Sequence, residues 1–276
     1  MGQAFPILLF PRGPRCWGGW KYCLESGKYH DRDLLARQAR AIMGRQGKII
    51  MRCIIRHTRL GLTIQSQTGE LLKQTKQFGE PVIGCVWSTD GRSFVVGTLD
   101  KNHSLCTYNI DDDEVIEWGK KHRVQDLCGS PDGRWLVAVD DSTTIHVYNA
   151  ETRELEYEME LKTRPTSVSI SRDSRHLLVN KKDGEAQLID LVTRQSIQKF
   201  LGHTGGDFLI RSSFGGANES FVTSGSDDGN ILIWHKTIGA AVERLHGHVP
   251  RCNAVSWKPD DPSMLATCGD DGIVKM

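Results

Sequence analysis

The 276-residue sequence predicts an all-β protein, a β-propeller in which short antiparallel strands repeat along the chain. The first supporting observation is composition, because 28 glycines and only 9 prolines indicate many tight turns between short strands. The second is a fixed period of 42, 41, 42 and 43 residues between five serines: Ser88, Ser130, Ser171, Ser213 and Ser256. Four strands within each period of about 42 residues are typical of a propeller blade.

A turn is predicted around each of these serines, and an alternating apolar run such as V-I-G-C-V-W or C-N-A-V-S-W leads into it. The clearest unit reads S-F-V-T-S-G-S-D-D-G-N-I-L-I-W-H-K, which predicts a strand, an Asp-Gly turn and a strand that ends at Trp234. The remaining residues, A-V-E-R-L-H-G-H, predict a fourth strand. The pattern divides residues 49–276 into a partial blade, four whole blades and an incomplete one: 49–77, 80–118, 121–160, 164–200, 203–245 and 248–276. These 228 residues hold about five and a half recognisable repeats.

Residues 1–48 differ from this repeating part in charge. They contain nine Lys or Arg and three Asp or Glu, whereas residues 49–276 contain 26 and 31. The stretch D-L-L-A-R-Q-A-R-A-I-M predicts one short amphipathic helix that docks on or links to the propeller without belonging to it. A basic organelle presequence is the less favoured alternative, because acidic residues and tryptophans interrupt the segment.

Charge and cysteine usage exclude several classes of partner. The net charge of +1 and the lack of a long apolar run argue against nucleic acid and against a membrane. The eight cysteines form no C-x-x-C pair, so neither a zinc knuckle nor a redox dithiol is expected, and a reducing intracellular compartment is predicted.

The sequence also lacks the common catalytic motifs: G-x-S-x-G, H-E-x-x-H, a Walker loop and G-x-G-x-x-G. The acidic run at 111–114 is interpreted as a solvated hairpin turn. Four isolated histidines are interpreted as surface or turn residues: His103, His122, His146 and His176. We therefore expect no catalytic residue, no cofactor and no metal.

Two units resemble WD repeats in their polar residues. The first set is His203, Ser224, Asp228 and Trp234, and the second is His248, Thr267 and Asp271, after which the position equivalent to Trp234 falls one residue beyond Met276. The resemblance implies that each set forms a hydrogen-bonded structural network within its blade. A hydrolytic triad is the alternative, but Ser224 falls on a predicted buried strand without a nucleophile elbow. Earlier units are degenerate at the Trp position, where Tyr108, Tyr148 and Ile189 stand.

A closer resemblance lies in G-D-F-L-I-R-S-S-F-G-G-A-N-E-S-F-V-T-S-G-S-D-D-G-N-I-L-I-W-H-K and in the later V-S-W-K-P-D-D-P-S-M-L-A-T-C-G-D-D-G-I-V-K. These strings are similar to the family of WD-repeat subunits of the GID/CTLH E3 ubiquitin ligase, and the similarity extends more weakly back to about residue 60. It implies seven blades and a non-catalytic scaffold or substrate-recruiting subunit in ubiquitin-dependent proteasomal degradation. The implied partners are other ligase subunits and client proteins, in the cytoplasm and the nucleus. Residues 1–48 do not resemble the LisH and CTLH modules of that family, so dimerisation through such modules is not expected.

The segment S-F-G-G-A-N-E replaces the usual turn, and we predict an interaction loop there with four contact residues: Arg211, Phe214, Asn218 and Glu219. Alternatively, Phe214 packs beneath the loop and the two glycines only permit an unusual backbone. Other functions stay open at this point: a generic WD-repeat adaptor, a truncated product without function, or a propeller enzyme. An adaptor of a cullin-type ligase is disfavoured, because Trp234 is followed by H-K-T where those adaptors have D-x-R.

Overall fold

The computed structural model describes residues 52–56, 61–65, 71–75, 82–206, 208–258 and 261–276. The helix predicted within residues 1–48 lies outside these residues, as does part of the predicted blade 49–77.

Six antiparallel sheets follow one another along the described chain, and each is a meander in which consecutive strands pair. Sheets I and VI have three strands: β1 (Arg52–Arg56), β2 (Gly61–Gln65) and β3 (Leu71–Gln74), then β20 (Cys252–Trp257), β21 (Leu265–Gly269) and β22 (Val274–Lys275). The only helical segment among the described residues is one 3-10 turn at Ala217–Glu219. The predicted all-β propeller fold is confirmed.

The other four sheets have four strands each. Sheet II consists of β4 (Val82–Trp87), β5 (Ser93–Thr98), β6 (Leu105–Asn109) and β7 (Val115–Glu117). Sheet III consists of β8 (Val124–Gly129), β9 (Trp135–Asp140), β10 (Thr144–Asn149) and β11 (Leu155–Glu160). Sheet IV consists of β12 (Pro165–Ile170), β13 (His176–Lys181), β14 (Ala186–Asp190) and β15 (Ser196–Phe200). Sheet V consists of β16 (Ser212–Gly215), β17 (Phe221–Gly225), β18 (Asn230–His235) and β19 (Ala241–His246).

The first strands of successive sheets contact one another, β4 with β8, β8 with β12, β12 with β16 and β16 with β20. They are therefore the inner strands of the propeller. In sheets II, III, IV and VI the register shifts once near the start of the inner strand. Such an irregularity bends and twists a strand, which lets neighbouring inner strands converge.

Three of the five repeating serines, Ser88, Ser130 and Ser171, form the turns between first and second strands. The Ser130 hydroxyl lies 2.5 Å from Asp132 Oδ1 and accepts a hydrogen bond from the Trp135 amide at 2.8 Å. Asp132 in turn accepts from the Arg134 amide at 3.0 Å. Ser88 and Ser171 make the same set of contacts in their own turns. The serine period therefore reflects one turn type in sheets II, III and IV, whereas Ser213 and Ser256 lie within strands β16 and β20 and do not form this turn.

The hydrophobic core lies between neighbouring sheets. Between sheets IV and V it contains buried side chains from both: Leu178, Ala186, Leu188, Phe200, Val222, Leu232 and Trp234. Full burial of one such large side chain is worth about 1.5–3 kcal/mol, so each sheet depends on its neighbours for stability.

The propeller presents two ends, and one of them carries both the connections between sheets and the turns between second and third strands. Backbone hydrogen bonds join these two kinds of loop. Lys182 N donates to Arg164 O at 2.9 Å within sheet IV, and His248 N, in the connection from sheet V to sheet VI, donates to Gly229 O of sheet V at 2.9 Å. We call this end the connection face and the opposite end the serine-turn face.

Candidate interaction site

In sheet VI the residues His248, Thr267 and Asp271 form one hydrogen-bonded group. His248 is buried, with Nδ1 2.9 Å from Asp271 Oδ2 and Nε2 2.8 Å from Thr267 Oγ1. Burial raises the pKa of Asp271, but the hydrogen bonds from His248 and from the Ile273 and Val249 backbone, with the charge of His248, together hold that pKa below its usual value. The group therefore fastens the connection before β20 to the turn after β21.

The equivalent residues of sheet V also lie together, but their hydrogen bonds are different from those that the resemblance implies. The ring of His203 meets the Trp234 ring edge-on, with centroids 5.6 Å apart, and Trp234 Nε1 donates to Leu201 O at 2.8 Å. Neither ring nitrogen of His203 has a hydrogen-bond partner among the described residues. Burial lowers the pKa of His203 to about 4, so the ring is neutral at physiological pH.

The Ser224 hydroxyl is engaged elsewhere. It accepts from Asn180 Nδ2 of sheet IV at 3.0 Å and donates to Gly225 O at 2.9 Å. Ser226, two residues on, accepts from the Thr204 amide at 2.9 Å, and its hydroxyl also bonds Asp228. Ser226 therefore holds the loop on the connection face. The Ser224 hydroxyl, which the resemblance to WD repeats places in a network with His203, is instead hydrogen-bonded to Asn180 of the neighbouring sheet.

Sheet III contains a buried histidine pair, so the prediction that His122 and His146 are surface or turn residues is wrong. Their exposed fractions are 7% and 3%, and their rings are perpendicular with centroids 4.0 Å apart. His146 lies between two carboxylates, Asp140 at 3.0 Å and Glu158 at 2.6 Å. Burial, followed by the charge of His146, lowers the pKa of His122 to about 4.

The sequence held a signal for this pair. Tyr148 stands at the position equivalent to Trp234, and its hydroxyl lies 3.2 Å from His122 Nε2. Sheet III therefore keeps a polar group at the same place in the blade with different residues.

The four predicted contact residues lie in different surroundings. Arg211 precedes β16 and points inward, where Nη1 lies 3.1 Å from Oδ1 of the buried Asp126. Asn218 and Glu219 follow the same strand, on the serine-turn face. Of the two, only Asn218 is exposed, because the Glu219 carboxylate accepts the Arg172 amide of sheet IV at 2.8 Å.

Phe214 is half-buried against the core between sheets IV and V, with the Lys236 ammonium 5.1 Å from its ring. Gly215 lies against the Trp257 indole, where a β-carbon would come within 2.3 Å of ring atoms, and Gly216 has φ 74°. The segment S-F-G-G-A-N-E is therefore shaped by packing against sheets IV and VI.

The described residues contain no group of three or more His, Cys, Asp or Glu side chains arranged to hold a metal ion. Within the same residues, no helix has the length and apolar character needed to cross a membrane. Burial raises the pKa of Cys252 to about 12 and that of Cys106 to about 11, so these thiols stay protonated at neutral pH.

Comparison with known proteins agrees with this geometry. The WD domain, G-beta repeat, matches residues 116–149, 194–235 and 239–276. A WD repeat-containing protein 26 homolog of Arabidopsis thaliana is 32% identical over 76% of the chain and 36% of its own length. GID complex subunit 7 of Schizosaccharomyces pombe is 34% identical over 76% of the chain and 42% of its own length. The Drosophila melanogaster WD repeat-containing protein 26 homolog is 31% identical over 75% of the chain and 33% of its own length.

The repeats, the stacked four-stranded sheets and these matches define a WD-repeat protein with a propeller fold. Within that class, the chain is homologous to WD repeat-containing protein 26 homologs and to GID complex subunit 7. It spans between about a third and about two fifths of the length of these relatives.

Proposed function

We propose that this chain acts as a non-catalytic scaffold or substrate-recruiting subunit of a GID/CTLH-type E3 ubiquitin ligase and so supports ubiquitin-dependent proteasomal degradation. The observation that carries the proposal is its 34% identity, over 76% of the chain, to a protein named GID complex subunit 7. A propeller suits this role because it presents loops of fixed geometry at both ends.

A scaffold fits the polar groups better than an enzyme does. Thr267 and His248 have the residue types of a hydrolytic pair, but both are buried. The Thr267 hydroxyl is bonded to His248 on the middle strand of a sheet, where a substrate has no access. Hydrogen bonds between neighbouring loops and strands account for these groups without chemistry.

The proposed partners are other protein subunits of the ligase and client proteins, and the proposed compartments are the cytoplasm and the nucleus. Nucleic acid, membranes and cofactors have no part in this function. A general WD-repeat adaptor outside such a ligase is the second candidate, since the propeller alone would serve either role.

The test is affinity purification of the tagged full chain from its own cells, followed by mass spectrometry of the captured proteins. We expect GID/CTLH subunits in the wild-type sample. The Arg211→Ala variant is the control for capture through misfolding, because it leaves a buried carboxylate without its cation and should raise the share of chaperones. Recovery of chaperones and proteasome without ligase subunits from the wild-type chain would exclude the ligase role, and recovery of a different complex would favour the general adaptor.

A further inference from the structure

Two arginines on the serine-turn face, at the boundary between sheets III and IV, are stacked on aromatic rings. Arg134 ends the turn between β8 and β9, and its guanidinium carbon lies 4.4 Å from the centroid of the Trp135 ring. Arg194 lies in the turn between β14 and β15, and its guanidinium carbon lies 4.1 Å from the centroid of the Tyr157 ring. Both arginines are exposed to solvent, so their charges are accessible to a ligand.

The rings beneath these arginines form one unit that joins the two sheets. Trp135 is buried, and its ring meets the Tyr157 ring edge-on with centroids 6.3 Å apart. The Tyr157 hydroxyl, on β11 of sheet III, donates to Leu191 O of sheet IV at 2.6 Å. Burial raises the pKa of Tyr157, whereas the charges of Arg194 and Arg134 act in the opposite direction. Both guanidinium groups therefore lie within electrostatic range of one hydroxyl.

Neither guanidinium has a hydrogen-bond or ion-pair partner among the described residues. Two carboxylates nearby are engaged elsewhere. The Asp190 carboxylate pairs with Arg175 Nε at 2.8 Å. The Asp132 carboxylate accepts hydrogen bonds from the Ser130 hydroxyl and from the Arg134 amide.

Stacking on a ring uses the face of a guanidinium and leaves the N–H donors along its edge free for an oxyanion. The planar fork of arginine matches the oxygens of a phosphate or a carboxylate. Since each group is already held over a ring, it loses little further conformational entropy when an anion binds.

The surrounding charges favour one kind of anion. The turn 150–154 lies beside Arg134, because Ala150 N donates to Arg134 O at 2.8 Å, and it carries the exposed side chains of Glu151 and Glu154. These carboxylates repel a segment that contains a run of Asp or Glu. A phosphoryl group instead concentrates a charge of about −1.5 to −2 and three acceptor oxygens at one point, which suits two guanidinium groups.

We propose that Arg134 and Arg194 form a binding site for a phosphorylated serine or threonine in an extended segment of another protein. The N–H edges of both guanidinium groups donate to the phosphoryl oxygens, while the segment lies across the boundary between sheets III and IV. The inference goes beyond the proposed function, because it assigns a site and a ligand chemistry that hold for any complex containing this chain.

The experiment measures retention of the purified full chain on three immobilised peptide libraries of equal length with randomised flanking positions. The central residue is phosphoserine in the first library, serine in the second and glutamate in the third. We expect the phosphoserine library to retain about tenfold more protein than either of the others. Free inorganic phosphate should compete, and retention should fall as the salt concentration rises.

Substitutions at the two arginines locate the site. Arg134→Met and Arg194→Met should each reduce retention on the phosphoserine library about tenfold, because each removes one set of donors. Neither change breaks an ion pair, so both variants should keep the wild-type circular dichroism spectrum. Arg134→Lys keeps the charge without the planar fork and should recover only part of the retention.

Arg92→Met is the matched control. Arg92 is exposed at the equivalent position of the turn between β4 and β5, where its amide donates to Asp90 as the Arg134 amide donates to Asp132. It is followed by Ser93 where Arg134 is followed by Trp135. Retention of this variant should therefore equal that of the wild type.

Three outcomes would overturn the proposal: equal retention on the three libraries, undiminished retention of both methionine variants, or an equal loss in Arg92→Met. If single-stranded RNA or vesicles containing phosphoinositides bind the wild-type chain but not the two methionine variants, and the phosphoserine library does not retain the chain, the ligand belongs to another class and the proposal is wrong.

Discussion

Arg211 Nη1 lies 3.1 Å from Asp126 Oδ1, which joins the connection before sheet V to the inner strand of sheet III although the two residues are 85 positions apart. The second carboxylate oxygen of Asp126 accepts the Val168 amide of sheet IV at 3.0 Å. The Arg211 amide donates to Asn253 O of sheet VI at 3.0 Å. Two residues thus link four consecutive sheets, and these links complement the apolar packing between each pair of neighbours.

Substitution Arg211→Met should destabilise the propeller by about 3–5 kcal/mol, because it leaves the buried Asp126 carboxylate unpaired. The free energy of unfolding in urea measures this effect. Lys199→Met is the control, since the pair between Lys199 and Glu185 (3.2 Å) involves an exposed lysine and should matter by less than about 1 kcal/mol.

The double variant Arg211→Met with Asp126→Asn should recover part of that stability, because it removes the charge and keeps an acceptor for the Val168 amide. If Arg211→Met proves as mild as Lys199→Met, the ion pair does not hold the sheets together.

The two His-containing groups should differ in energetic coupling. A double-mutant cycle on His248→Ala and Thr267→Val should give a coupling of about 1 kcal/mol or more, because the two side chains are 2.8 Å apart and buried. The same cycle on His203→Ala and Ser224→Ala should give a coupling near zero, because Ser224 bonds Asn180 and Gly225. Thermal or urea unfolding of the seven proteins, the wild type with four single and two double variants, measures both values. Equal coupling in the two sheets would contradict the hydrogen-bond pattern of sheet V.

Features that depend on contacts between residues close in sequence can be predicted from the sequence, whereas contacts between side chains of different sheets cannot. The serine turns are predictable because Ser130 contacts residues no more than five positions away, so their chemistry repeats with the period. The group of His248, Thr267 and Asp271 is predictable because these residues have the types and the spacing of the polar set of a WD repeat. The inward direction of the Arg211 side chain is not predictable, since its partner, Asp126, belongs to sheet III, two sheets earlier in the chain.

The bonds of Ser224 show the same limit, because the competing Asn180 belongs to the neighbouring sheet. The sequence also allowed Phe214 to pack beneath the loop instead of contacting a partner. This alternative agrees with the half-buried side chain of Phe214 and with the close contacts around the two glycines that follow it. The interaction role of Asn218, which is exposed, stays a prediction.

The free energy of unfolding should fall as pH decreases below about 6.5, which is the pKa of a histidine in an unfolded chain. His203 and His122 are buried with pKa lowered to about 4, so between pH 6.5 and 4 the unfolded chain binds protons that the folded chain does not. The free energy of unfolding should therefore drop by about 1.4 kcal/mol per pH unit for each of them.

Urea unfolding between pH 7 and pH 5 measures the slope of the free energy of unfolding against pH. In this range the carboxylates of low pKa stay ionised and do not contribute to the slope. Hydrogen bonds from His146 and Ser142 outweigh the raising effect of burial and lower the pKa of Asp140 to about 2, so its own contribution is lost only below that range. His203→Gln should reduce the slope by the share of one histidine. An unchanged slope in this variant would show that His203 is protonated in the folded state.

Gly215 should not tolerate a β-carbon, because three Trp257 ring atoms lie 2.3–2.5 Å from where that atom would stand. The indole has little freedom to move away. It stacks on the Phe221 ring with centroids 6.0 Å apart, and its Nε1 donates to Pro262 O at 2.8 Å. Gly215→Ala should therefore destabilise the protein by about 1–3 kcal/mol and change the tryptophan fluorescence.

The matched control is Gly119→Ala, since a β-carbon at Gly119 meets no atom within 4 Å, so this variant should keep wild-type stability and fluorescence. If both alanine variants unfold at the wild-type urea concentration, the contact between Gly215 and Trp257 does not position the loop between β16 and β17.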